Sequence, residues 1–511
     1  MQSENANRRI AKNTIYLYMR TIVVMFVSLY TSRLVLQVLG ETDLGIYNVV
    51  GGIVTLLAFL QTAQSQATSR YITYELGENA SAERLGYVFS ACMTIHVLIA
   101  LLFLLIAETF GLWAVHHWIV VPAERMQAAL WVYQFAILTF CIHMLRVPYD
   151  AAIIAHENMS VYAYMSIIEV GLQLLMVVAL KYILADHLIL YAGALALIAF
   201  ILFVLYAIYV RVKYNQYRFS WVWDGKLSVK ILSFSGWTML GSTANTMTQQ
   251  GVTLLFNNFV GLVANTALGF ANQVNTALVR FVGSFTTAFN PQIIKLYAQR
   301  DYRSLHLLMF RASKFSFALA FVMALPLILN MDFVLHLWLG QVPQYTVAFC
   351  QLIVLCTVID ATTGVYNTAV TATGQIRNYQ IGISISFMLD LLCAFALLSL
   401  HMHPAIVFGS RILTRGLLNM GIGLYYCRKQ LSFPVRRYAL RVLLPIGCTV
   451  VLAVLCALPI SYYCQAWSRL LLGIAESVVV VGICTFVLLM DVSERKRILI
   501  LVKNRLCKQK S

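Results

Sequence analysis

Five arginines interrupt stretches of sequence that are otherwise apolar: Arg20, Arg33, Arg280, Arg411 and Arg415. A charged side chain at mid-depth in hydrocarbon costs at least about 2.5–3.5 kcal/mol on insertion scales, so residues of this kind are functional candidates by default. Arginine has a particular use there. Its planar fork donates paired hydrogen bonds to carboxylate or phosphate oxygens, so several arginines around one cavity would hold an anionic group such as a diphosphate. Depth separates the five. Arg20 and Arg33 lie close enough to the ends of their stretches for the charge to reach an interface along the aliphatic stem. Arg280 lies near the middle of 265–290. Arg411 and Arg415 lie near the middle of 404–426 and, four residues apart, share one helix face. Two readings stand open: these three face a water-filled cavity, or they form structural ion pairs.

Three acids lie at similar depth, Glu169, Asp360 and Asp390. They are either partners of the arginines or, with Asp390 the first choice, a site for a coupling H+ or Na+, since a carboxylate in low dielectric exchanges protons near neutrality. Polar uncharged side chains gather in two places. Ser242, Thr243, Asn245, Thr246, Thr248, Gln249, Gln250, Asn257 and Asn258 crowd one stretch, and Gln61, Thr62, Gln64, Ser65, Gln66 and Thr68 another. Such groups suit sugar hydroxyls, and equally helix–helix hydrogen bonds.

These residues are positioned by membrane helices. The chain has 511 residues, 60% hydrophobic and 11% charged, with a mean hydropathy of +0.78. A soluble domain is about 45–50% apolar and about 25% charged. The composition excludes a soluble enzyme, a disordered chain and a nucleic-acid-binding domain. About 20 apolar residues make one span, and fourteen segments qualify: 14–38, 44–66, 86–110, 126–147, 160–182, 187–210, 229–256, 265–290, 312–335, 346–372, 377–400, 404–426, 440–462 and 470–490. The second and seventh are the most polar. The fold class is an all-α polytopic membrane protein, and short alternating segments of a barrel are absent. The N-terminal run is long, contains Arg20 and lacks a small-residue cleavage site, so it reads as a retained first span rather than a signal peptide.

The net charge of +17 is a topology signal. With the N-terminus inside, 29 of the 37 Lys and Arg fall on the cytoplasmic side and three on the outer side. This follows the positive-inside rule and places both termini in the cytoplasm. Trp113, Trp118, Trp131, Trp338 and Trp467 mark the outer boundary and Trp221, Trp223 and Trp237 the inner one. Basic stretches at 295–314, 428–441 and 495–510 either contact anionic lipid headgroups or act only as topology determinants. The eleven cysteines lie almost entirely in apolar stretches, without disulfide-framework or metal spacing, and read as small hydrophobes.

The chain repeats itself at an offset of about 217–224 residues. His116–Pro122 matches His336–Pro343. Tyr149, Ala152, Ala155 and Tyr162 match Tyr366, Ala369, Ala372 and Tyr379 with identical spacing. Leu44-Gly45-Ile46-Tyr47-Asn48 matches Leu268-Gly269-Phe270-Ala271-Asn272. Each pair falls at the same place in the span order. The expected organisation is an N-terminal lobe 1–215 (spans 1–6), a C-terminal lobe 216–430 (spans 7–12), and 431–511 with spans 13–14 and a basic tail. An even number of spans per repeat gives both lobes one orientation about an axis along the membrane normal, as in parallel-repeat transporters. Asp360 then corresponds to His143 and Asp390 to Gln173. Arg70 and Lys295 take near-equivalent places at the inner ends of spans 2 and 8, where they could line a cytoplasmic mouth. There is no GxxxxGK[ST], no HExxH and no zinc-ligand spacing. The outer loops are too short for a catalytic domain. Transport, not catalysis, is the expectation.

The run Asn13–Arg70, with Ser32-Arg33, Val38-Leu39-Gly40 and Leu44-Gly45-Ile46-Tyr47, resembles the start of polysaccharide biosynthesis flippases. Ala288-Phe289-Asn290-Pro291-Gln292 followed by Lys295 is similar too. These belong to the multidrug/oligosaccharidyl-lipid/polysaccharide exporter superfamily. Fourteen spans as six, six and two match that branch and, more distantly, lipid II flippases. The resemblance implies translocation of an undecaprenyl-diphosphate-linked oligosaccharide across the bacterial cytoplasmic membrane by alternating access, for surface polysaccharide biosynthesis. It implies no cofactor beyond H+ or Na+ coupling. The implied partners are the lipid-linked oligosaccharide, membrane lipids and glycan-assembly proteins; the chain is expected to be a monomer. It also implies that Arg33 lines the cavity and that spans 13–14 form a groove for the lipid tail. Lipid II flippases place an Arg early in span 8, where this chain has Gln273, with Arg280 two turns later. That departure favours a glycan other than lipid II. The alternatives are a cation-coupled drug exporter of the same fold, which predicts an acid-dominated cavity, and a membrane-embedded polymerase or glycosyltransferase, which needs a catalytic outer loop.

Overall fold

The computed structural model describes residues 2–55, 58–117, 122–463, 466–490 and 495. Among these, every long element is a helix. In hydrocarbon the backbone must bond to itself, so a chain this apolar has helices and closed barrels as its only spanning forms. The first helix, Gln2–Thr55, bends at Gly40, whose φ of 76° lies in the left-handed region that only glycine adopts freely. The bend separates α1 (2–40) from α2 (41–55 and Ala58–Gly77). There follow α3 (Ala82–Ile106, continued to His117 through a π turn), α4 (Met126–Ala155), α5 (Met159–Leu180), α6 (His187–Lys213), α7 (Gly225–Phe259), α8 (Leu262–Ala298) and α9 (Tyr302–Leu329). After a short helix, Met331–Leu339, come α10 (Thr346–Thr373), α11 (Arg377–Ser399), α12 (Ala405–Arg411, extended by a π turn to Leu431), α13 (Val435–Tyr463, with a π turn) and α14 (Ala466–Leu489).

Fourteen helices therefore occupy the fourteen expected places. Ten of them are long and apolar enough to cross a membrane by composition alone, counting described residues. The other four are α2, α7, α8 and α12, whose polar side chains lower their hydropathy. In the first unit exposed Trp113 and Trp131 stand at helix ends opposite those near exposed Trp221 and Trp223; in the second, exposed Trp338 and Trp467 stand at helix ends. Trp118 lies outside the described residues.

The helices gather into two compact units, Met1–Thr243 with Tyr297–Gln299, and Ala244–Leu296 with Arg300–Ser511. The first unit thus extends past residue 215, the end expected from the repeat, into the first half of α7. Its reason is local bonding: Ser235 donates to Gln64 at 3.2 Å, and the ring of Phe234 meets Tyr71 edge-on. Within the first unit small residues let helices approach closely. Ala192, Ala196 and Ala199 line one buried face of α6, and Gly193 lies against the ring of Phe135 on α4. At the N-terminal ends of α2, α4 and α6, Arg125 binds the carboxylates of Asp43 and Asp186, and this pairing raises its pKa further. The second unit packs around Phe256, Phe317, Phe321, Phe349 and Phe408. The repeat is visible in each unit separately. Buried Ala152 and Ala155 close α4 as buried Ala369 and Ala372 close α10. A positive-φ residue then ends each helix, Glu157 (φ 60°) and Gly374 (φ 77°), at the repeat offset.

Candidate functional site: buried charges and polar helix faces

In the first unit four ionisable residues meet between α1, α4 and α5. Arg146 on α4 lies 3.4 Å from Asp150, one turn on, and 3.4 Å from Glu169 on α5. Arg20 stacks 4.8 Å above the ring of Tyr162, and Arg146 lies 5.3 Å from the ring centre of Tyr206. Two cations and two anions balance, as burial requires. Sequence reasoning singles out both Glu169, at mid-depth in its span, and Arg20, nearer the end of its own. Arg146 and Asp150 were missed, because the fourth span was drawn to 147 and Arg146 counted with the inner loop. The missed signal is Arg-x-x-x-Asp, which sets the two side chains over one another on a helix that runs to Ala155.

In the second unit Asp390 on α11 is fully buried and receives Arg411 at 3.0 Å and Thr414 at 3.1 Å, both from α12. Asp360 on α10 is exposed and has Arg415 and Arg411 as electrostatic neighbours. Arg415 donates to the amide oxygen of Asn245 on α7 at 2.5 Å and lies 4.7 Å from the ring of Phe387. A π turn, Ile412–Leu417, contains Arg415. It carries one residue more than an α turn, so the two arginines expected on one face take different partners.

The remaining cations stand apart. Arg280 on α8 is exposed and has no side-chain hydrogen bond or ion pair among the described residues; the same holds for Arg33 on α1. Arg280 ends a stripe of exposed residues, Thr266, Gly269, Gln273, Thr276 and Arg280, at three- and four-residue intervals. Thr246, Gln249, Gln250 and Asn257 form a similar exposed stripe on α7. A guanidinium and four amides are thus exposed along these two helices, where contact with lipid chains would be costly. Not every polar residue of α7 is exposed: Thr248 is buried and donates to the carbonyl of Phe387 at 2.9 Å. Arg70 is buried near the C-terminal end of α2, against the rings of Tyr71, Tyr74 and Phe234. Lys295 lies in the last turn of α8 and is half-buried.

A helical membrane protein of two lobes, with charge clusters inside each, has the build of a transporter. Three solved structures share the fold. A multidrug resistance MATE family transporter of the MOP superfamily, in an outward-facing conformation, is 12% identical, with a TM-score of 0.73 over 84% of this chain and 96% of its own. MATE in the bent conformation is 13% identical, with a TM-score of 0.73 over 85% and 97%. A MOP superfamily transporter from Pyrococcus furiosus Vc1, described as having a binding pocket of reversed polarity, is 12% identical, with a TM-score of 0.70 over 83% and 96%. No curated protein matches in sequence. Residues 10–297, more than half of the chain, match the family model for polysaccharide biosynthesis proteins, and the chain belongs to that family. It is a multi-pass membrane protein of the flippase and exporter type.

Proposed function

We propose that the protein is a flippase that carries an undecaprenyl-diphosphate-linked oligosaccharide from the cytoplasmic to the outer leaflet of the bacterial cytoplasmic membrane by alternating access. The observation that carries this reading is Arg280, exposed and without a side-chain partner among the described residues, at the end of a polar stripe on α8. Arg411 and Asp390 neutralise each other, and Arg415 is engaged by Asn245. In the second unit this leaves Arg280 to take a diphosphate. The Thr and Gln side chains along α7 and α8 supply hydrogen-bonding groups suited to sugar hydroxyls. Catalytic chemistry has no role in this mechanism. Glu169, Asp360 and Asp390 are the acids through which H+ or Na+ would couple; Asp360, exposed beside two arginines, is the most accessible of them.

The test is Arg280→Ala in cells whose surface glycan depends on this protein. Loss of surface glycan at normal protein level, with partial recovery in Arg280→Lys, is expected. Full export by Arg280→Ala would remove the residue from the mechanism. Unchanged glycan together with altered drug susceptibility would favour the drug-exporter alternative.

A further inference from the structure

Between α6 and α7 the chain runs extended over 217–224 instead of forming a loop free in water. This strap lies along the first three turns of α3, a membrane-spanning helix. Gly86 admits it: a Cβ there would come within 2.5 Å of the carbonyl oxygen of Gln216. One helical turn on, Ser90 donates to the carbonyl of Arg218 at 3.1 Å, and its oxygen accepts the amide of Ser220 at 3.3 Å. A turn further, Thr94 accepts the amide of Val222 at 3.4 Å. The strap thus climbs α3 from residue 86 to residue 94, about 12 Å along the helix axis.

Extended backbone tolerates that depth only if its polar groups find partners. Ser90 and Thr94 partner three of them, the carbonyl of Arg218 and the amides of Ser220 and Val222. Neither belongs to either of the buried charge clusters.

Alternate side chains of an extended chain point to opposite sides. The backbone groups of Arg218, Ser220 and Val222 bond to α3, and the Ser220 hydroxyl meets that of Ser90 at 3.3 Å. Phe219, Trp221 and Trp223 form the other row, 46%, 61% and 59% exposed. Arg211, Lys213, Arg218, Lys226 and Lys230 flank the row. Indole rings with basic neighbours suit the boundary between headgroups and acyl chains. Both strap ends continue into membrane helices, which fixes the strap at the membrane surface.

We propose that Phe219, Trp221 and Trp223 insert into the cytoplasmic leaflet, making the segment between the two repeats an interfacial membrane anchor zipped onto α3 by Ser90 and Thr94. The occupant of this face is lipid, with anionic headgroups against the basic flanks.

The test uses the full chain labelled with 5-fluorotryptophan, in nanodiscs of phosphatidylcholine and phosphatidylglycerol. Trp221→Phe and Trp223→Phe assign two of the eight fluorine signals. Lipid carrying a doxyl group near its carbonyl should broaden both signals, while a water-soluble gadolinium chelate leaves both intact. If either indole keeps its signal against the doxyl lipid, or loses it to the chelate, the proposal fails. Signals untouched by both agents would mean that protein covers the strap, which also overturns it.

Discussion

At the scale of single residues, the informative distinction is between charges that are paired and charges that are not. Asp390 is wholly buried and bonded to Arg411. Removing one partner of such a pair leaves an isolated buried charge and costs about 3–5 kcal/mol, whereas replacing both with apolar residues is often neutral. Arg411→Met should therefore lower the melting temperature of the purified protein sharply. Arg411→Met with Asp390→Leu should recover most of that loss. If the double variant is as unstable as the single one, the pair does more than neutralise itself. The sequence brought Arg411, Arg415, Asp360 and Asp390 forward together, because charge inside an apolar stretch is conspicuous whatever its partner. It could not tell Arg411 from Arg280. Pairing depends on which helices are neighbours, and periodicity within one helix carries no trace of that. The Arg146–Asp150 pair was lost for another reason: a hydropathy boundary drawn at 147 cut between its members.

At the scale of elements, close approach and capping decide the structure of the strap. Gly86→Ala places a methyl group against a backbone oxygen, which has no rotamer through which to withdraw. Overpacking of this kind costs about 1–3 kcal/mol. The variant should melt earlier and shift the Trp221 and Trp223 signals, while Gly45→Ala, whose added methyl meets nothing within 4 Å, should do neither. Asp224 caps α7: its carboxylate accepts the amides of Lys226 at 2.9 Å and Leu227 at 3.1 Å and the hydroxyl of Tyr87 at 3.0 Å. These bonds hold its pKa below the ordinary carboxylate value, the amide of Leu227 contributing most. A depressed folded pKa means a contribution that is complete above the unfolded value of about 3.9 and fades as pH falls through the folded one. The strap signals should thus stay constant on acidification down to about pH 5 and change only in stronger acid. Asp224→Asn should abolish that acid transition. Helix existence was legible throughout, since apolar runs of span length have one fate in a bilayer. The extended form of 217–224 was not, because it depends on two hydroxyls more than 120 positions away in the chain.

At the scale of the whole molecule, the asymmetry of basic residues predicts how the chain threads the membrane. A periplasm-active reporter fused after residue 184 should be active, and one fused after residue 215 silent, with the opposite pattern for a fluorescent protein that folds only in the cytoplasm. A reporter fused after Ser511 should behave as the one after 215. Reversal at any of these sites would mean a span has been miscounted. The repeat was legible because its motifs, Tyr149–Ala155 and Tyr366–Ala372, close α4 and α10 at their buried ends. What the repeat concealed is where the copies have diverged. α6 runs as an uninterrupted α-helix, while its counterpart α12 carries the π turn Ile412–Leu417. A π turn is the footprint of one inserted amino acid, absorbed without breaking the helix. The second copy therefore carries one residue more than the first at this turn, with the helix in register on either side. Deleting Leu413 should restore an α turn with the helix after Leu417 unrotated, so that only residues within the turn shift, Arg415 among them. A single codon would then account for the second lobe holding Arg411 and Arg415 in two different grips.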